Sequence, residues 1–189
     1  VAVVLLAIRG IRSYDNGGSG PIVLALVIAG GMVGALLLYF GVSNARRIDR
    51  AQRAFPSAWI VPVLVAPLLA QELSALTTAL GLAPSRVNPT RYATLVVDDQ
   101  SVQFLSGRAT GSPAAAFPSN LVRSFTVGSV QIGMRIMATI EVEVASSERT
   151  LVLPVTPMRS RGNWLRAVPD ADIARLAEDL RRAIGAGGI

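Results

Sequence analysis

From Ile22 to Val42 the chain reads IVLALVIAGGMVGALLLYFGV, without a single charged residue. A run of this length covers a hydrocarbon core of ~30 Å at 1.5 Å per helical residue. An amphipathic helix of a water-soluble domain would interrupt it with a polar stripe. Pro21 suits the first helical turn, where its missing N–H costs nothing, and Asp15-Asn16-Gly17-Gly18-Ser19-Gly20 before it has loop composition. The sequence therefore predicts a transmembrane helix from about Pro21 to Val42. The rest of the composition agrees: 51% of residues are hydrophobic and 16% charged, with a mean hydropathy of +0.50.

Tyr39 and Phe40 lie near the far end of the run, where aromatic rings favour the interface, and Arg46, Arg47, Arg50 and Arg53 follow. The opposite flank holds only Arg9 and Arg12, with Asp15. Because arginines next to a span resist translocation, the expected location is the cell membrane with the C-terminal domain cytoplasmic. Val1 to Ile8 (VAVVLLAI) is too short to span alone. It is expected to be the end of an earlier helix, giving a hairpin anchor, with a removed signal peptide as the alternative. Gly30 and Gly34 form a GxxxG inside the span, a surface on which a second helix can pack closely. Residues 1–53 thus read as membrane anchor and juxtamembrane basic segment, and 54–189 as a soluble α+β domain.

In that domain, Ala58 to Ala66 is an apolar, β-branched run that suits a strand, with Pro62 confining it to an edge or a bulge. Pro67 opens a helix in which Leu69, Leu73, Leu76 and Leu80 recur at helical spacing, and Gly81 ends it. Reading Ala58 to Ala83 as another span would place Gln71 and Glu72 in lipid. From Tyr92 the pattern changes to period two. Strands are expected at Ala93–Asp98, Ser101–Ser106, Ala115–Val127, Arg135–Val144 and Arg149–Val155, joined as antiparallel hairpins with one wet face. A final helix over Pro169–Ile184 carries Ile173, Leu176, Leu180 and Ile184 as its stripe. Asp170 and Asp172 at its start and Arg181 and Arg182 at its end complement the helix dipole.

A succession of short antiparallel strands over about 92–185, closed by one helix, resembles the pleckstrin-homology-like (PH-like) domains of small bacterial membrane-anchored proteins of unknown function. The basic run Arg46–Arg53, the Phe-Pro-Ser-Ala-Trp of Phe55–Trp59 and the Phe-Pro-Ser-Asn-Leu-Val of Phe117–Val122 look like features that recur in such proteins. The strand and helix at Ala58–Leu80 lie outside the plain pattern. Arginine without lysine, amid abundant Ala, Gly and Val, has the look of a GC-rich bacterial genome.

The chain has no cysteine, histidine or lysine. That removes thiolate nucleophiles, Cys/His metal sites, the commonest general base, Schiff-base chemistry and the P-loop lysine. No catalytic residue and no cofactor are expected. The net charge of +6 is explained by topology through the juxtamembrane arginines, so nucleic acid is not an expected partner. Glu141 and Glu143 share one strand face, and Asp98 and Asp99 sit at a hairpin tip; both pairs read as ordinary solvated positions, and no metal site is assigned. For lipid or partner contact the candidates are Arg46, Arg47, Arg50 and Arg53, together with Arg159, Arg161 and Arg166 around Trp164. The expected function is a non-enzymatic cytoplasmic interaction module anchored in the lipid bilayer, with a protein partner or self-association. The alternatives are a structural subunit of a membrane complex, or a divalent-ion-dependent membrane-bound sensor or hydrolase.

Overall fold

The computed structural model describes residues 20–89, 92–106, 113–146, 149–160 and 166–185. Val1–Ile8, expected as the end of an earlier helix, lies outside the described residues. The chain divides into two units, Val1–Asn44 and Ala45–Ile189.

Helix α1 runs over Gly20–Ala54. Its stretch from Val23 has a mean hydropathy of 2.4 and buries none of its most apolar window, so the described residues contain one helix long and apolar enough to cross a membrane. Leu26, Met32 and Leu38 are all more than 60% exposed. Tyr39 and Phe40 meet edge to face, with ring centroids 5.6 Å apart.

The second unit begins with the last turns of α1. Ile48 and Ala51 are buried there. Seven strands follow: β1 (Trp59–Leu64), β2 (Tyr92–Val97), β3 (Ser101–Ser106), β4 (Ala115–Pro118), β5 (Val122–Ile132), β6 (Arg135–Ala145) and β7 (Thr150–Pro157). Helix α2 (Pro67–Ala79) lies between β1 and β2, and helix α3 (Asp170–Gly185) closes the chain. All pairings are antiparallel, in the order β4-β3-β2-β1-β7-β6-β5. The architecture is α+β, an open sheet with helices on it.

Alternation sends Val61 and Val63 on β1, Leu95 and Val97 on β2, and Phe104 on β3 to one face, where Leu69, Leu73 and Leu76 of α2 and Ile173, Ala177 and Leu180 of α3 cover them. Each such leucine contributes roughly 1.5–3 kcal/mol by leaving water. The opposite face presents Ile60, Val96 and Leu105 to Ala51 and Phe55 at the end of α1. Ala58–Leu80 therefore belongs to the sheet domain: β1 is its middle strand and α2 packs on it.

Two expectations need correction. Pro62 is not on an edge strand. The Met158 N–H donates to the Pro62 carbonyl at 2.8 Å, so this residue turns its backbone toward β7, and the ring has no N–H to return the bond. Accordingly β1 pairs with β2 along its length but with β7 only at Val63↔Pro157 and Leu64↔Thr156. The proline sits where the central ladder runs out. The run Ala115–Val127 is also not one strand. A 3-10 turn at Ser119–Leu121 separates β4 from β5. Ser119 fixes that turn, its N–H donating to the Gln100 carbonyl at 3.0 Å and its hydroxyl to the Asp99 carbonyl. The second Phe-Pro-Ser is thus a clasp between β4 and the β2–β3 turn.

Candidate functional site

Beyond Pro62 the two central strands part. At the end of β7, Met158 bridges to Ala167, and the Arg159 N–H donates to the Arg166 carbonyl at 3.1 Å. The Val168 N–H donates to the Pro157 carbonyl at 3.0 Å, and Pro169 accepts the first helical N–H bonds, from Asp172 and Ile173. The chain after β7 thus folds back on itself and leads into α3 instead of continuing along β1. Ile60, two residues from Pro62, turns its backbone to the same side and has no β7 partner.

The opening is a cleft of about 460 Å³, within the usual range for ligand sites. Trp59, Ile60, Val61 and Pro62 form one wall, Met158, Arg159 and Ser160 the end, and Val168, Pro169, Asp172, Arg175, Leu176 and Asp179 the other wall. A second hollow of about 500 Å³ shares Trp59 and Asp179 with it and adds Ser57, Asp98, Asp99, Arg182 and Ala183. Trp59 is 41% exposed, a large amphipathic surface beside an open strand edge. Asp172, Arg175, Leu176 and Asp179 follow the i, i+3, i+4, i+7 spacing that puts them on one helical face. Asp179 holds Arg182 at 3.0 Å. Asp98 is occupied locally, accepting the N–H groups of Gln100 at 2.9 Å and Ser101 at 2.6 Å.

Of the basic candidates, Arg159 lines this cleft and Arg166 is exposed beside it. Arg161 and Trp164 lie outside the described residues. The juxtamembrane arginines divide by helical phase. Arg46, Arg50 and Arg53 are exposed and share one stripe, whereas Arg47, half-buried, donates to the Tyr92 carbonyl at 3.1 Å. Burial pushes the Tyr92 phenol above its ordinary pKa, with the Arg47 charge opposing the shift. Gly30 and Gly34 lie on one face of α1, and a side chain added at either would meet nothing within 4 Å.

Glu141 and Glu143 do share a face of β6. Among the described residues no group of three or more His, Cys, Asp or Glu is placed to hold a metal ion. The acidic side chains that line the cleft, Asp172 and Asp179, come from α3, and those of the β2–β3 turn line the second hollow. In the sequence Asp172 stands out only for the helix dipole, and Trp59, Arg175 and Asp179 carry no mark of a site. The polar stripe of α3 was visible as a periodicity, but nothing local says that it faces the start of β1.

No protein-family model matches this chain, and no curated protein matches it in sequence.

Proposed function

We propose that this protein is a non-enzymatic interaction module, anchored in the cell membrane by α1. Its PH-like sheet domain faces the cytoplasm and takes an extended segment of a protein partner into the cleft between β1 and α3. The observation that carries the reading is the edge at Trp59–Ile60, where among the described residues a central strand has no β7 partner while a helix stands opposite at cleft distance. Main-chain hydrogen bonds to such an edge give affinity, and side-chain pockets along it give specificity. The absence of cysteine, histidine and lysine leaves few routes to catalysis and argues for binding. Support for the PH-like assignment is the antiparallel order and the closing C-terminal helix, with α2 as an elaboration. The cytoplasmic assignment rests on Arg46, Arg50 and Arg53 following the apolar run.

The test is a photo-crosslinking residue at Trp59 of the full chain in its native membrane, compared with one at Arg123. A discrete adduct at Trp59 only, lost on Ile60→Pro, is expected, because that proline removes an edge N–H that β2 does not use. The same background at both positions would refute the reading. An adduct that survives Ile60→Pro in a folded variant would exclude strand addition.

A further inference from the structure

Strands β5 and β6 pair from Phe125↔Val142 out to Ile132↔Arg135, whereas β7 pairs with β6 only from Ile140 to Ala145. The outer part of the hairpin is therefore a two-stranded ribbon standing clear of β7. Its turn is the two residues Gly133 and Met134, with Gly133 at φ 60° as tight hairpin turns require. An isolated ribbon in water is expected to carry polar side chains. This one does the reverse. Met134 is 101% exposed and Ile136 79%, while Ile132 is half-buried at the tip.

The charge next to the turn is cationic. From Ser129 to Thr139 the charged residue is Arg135, exposed beside the turn, whereas Arg123 lies at the other end of β5 and the Glu141 carboxylate lies over Gly128 at the base of the ribbon. An apolar tip with Arg135 beside it matches an anionic lipid surface, whose acyl boundary takes the methyl-bearing side chains while its headgroups take the guanidinium. Such a tip on a freely diffusing domain would bind a membrane weakly. On a tethered one the second contact is intramolecular and gains the effective concentration of the tether. A domain of this size has a radius of gyration of ~15 Å, so the bilayer stays within reach of its surface.

We infer that the β5–β6 hairpin tip, Ile132 to Ile136, is a second membrane contact that dips into the surface of an anionic bilayer. The inference rests on the membrane anchoring proposed above. A weak contact of this kind restricts the domain's rotation about its tether, so that the mouth of the cleft keeps a preferred orientation to the membrane.

The chain has no cysteine, so Met134→Cys in the full-length protein takes a single environment-sensitive nitrobenzoxadiazole label, with Gln100→Cys as the reference site. The labelled chain is reconstituted into vesicles of equal parts phosphatidylcholine and phosphatidylglycerol, and into phosphatidylcholine alone. The expected result is blue-shifted emission at position 134, quenched severalfold by shallow doxyl lipids in the anionic vesicles and less in the neutral ones, with Gln100→Cys remaining aqueous. Moving the label to Gln131→Cys and adding Ile136→Asp should return it to water. That variant changes an exposed residue and leaves the fold intact. If the chain floats with the vesicles but position 134 stays as iodide-accessible as position 100, the hairpin inference is wrong while the anchoring stands. A blue shift that rises with protein density and ignores doxyl lipid would assign the tip to a second copy and overturn the lipid reading. Failure of the unlabelled chain to float would remove the anchoring and this inference with it.

Discussion

Leu36, Leu37 and Leu38 on α1 and Leu69, Leu73 and Leu76 on α2 are the same side chain on the same kind of element. The first three are 52%, 46% and 72% exposed, whereas the second three are 0% exposed. What differs is the company they keep in sequence. On α2 the leucines recur at helical spacing between Gln71, Glu72, Ser74 and Thr78, so a polar face remains for water once the apolar face meets the sheet. On α1 there is no polar face to leave outside. A helix apolar all round needs an apolar surrounding on every side, and a lipid bilayer supplies one. By composition α1 suits a bilayer, and α2 suits the boundary between a sheet and water.

Single substitutions can break that contrast. The largest effect is expected for Leu73→Ala, which opens a cavity under the sheet and should lower domain stability by about 2–5 kcal/mol in chemical denaturation. Membrane association should be unchanged. Leu36→Arg should do the opposite, since an arginine at the centre of a span costs about 2.5–3.5 kcal/mol on insertion. The membrane-bound fraction after alkaline carbonate washing should fall, while the thermal midpoint of the sheet domain stays where it was. If Leu36→Arg instead destabilised the domain and left association intact, α1 would be packing against protein and not lipid.

The smallest effect concerns Arg47 and Tyr92, which meet inside the sheet-bearing unit. The folded phenol keeps its proton to higher pH than the unfolded one. Its contribution to stability is therefore complete below about pH 10 and is lost as pH climbs through the raised folded value. Tyr92→Phe should flatten part of the alkaline fall in thermal midpoint.

The elements that were legible in the sequence are those whose signal is local. Ser101–Ser106 alternates as far as Phe104 and forms β3 at those bounds, and the leucine spacing of α2 and the capping charges of α3 placed both helices. Long-range partners were not legible. Pro62 reads as an edge residue by the rule that a proline cannot serve a central ladder. The rule failed only because Val63 and Leu64 do all the pairing with β7. Pro118-Ser119 was hidden inside an apolar alternation, and its role depends on a carbonyl twenty residues upstream. The cleft joins the start of β1 to a helix more than a hundred residues later. Trp59 therefore carried no sign of its neighbours, and Asp172, Arg175 and Asp179 read as a solvated stripe. Of the candidate site, Arg159 was visible from its loop composition; the strand edge was not.

The proposed function requires α1 to cross the bilayer with the sheet domain on the cytoplasmic side. Its most direct test places a single cysteine at Gln100 and measures labelling by a membrane-impermeant maleimide in sealed vesicles of known orientation. Labelling in inside-out vesicles and protection in right-side-out ones is the expected result. Labelling in right-side-out vesicles with protection in inside-out ones would contradict it, placing the cleft and the hairpin outside the cell.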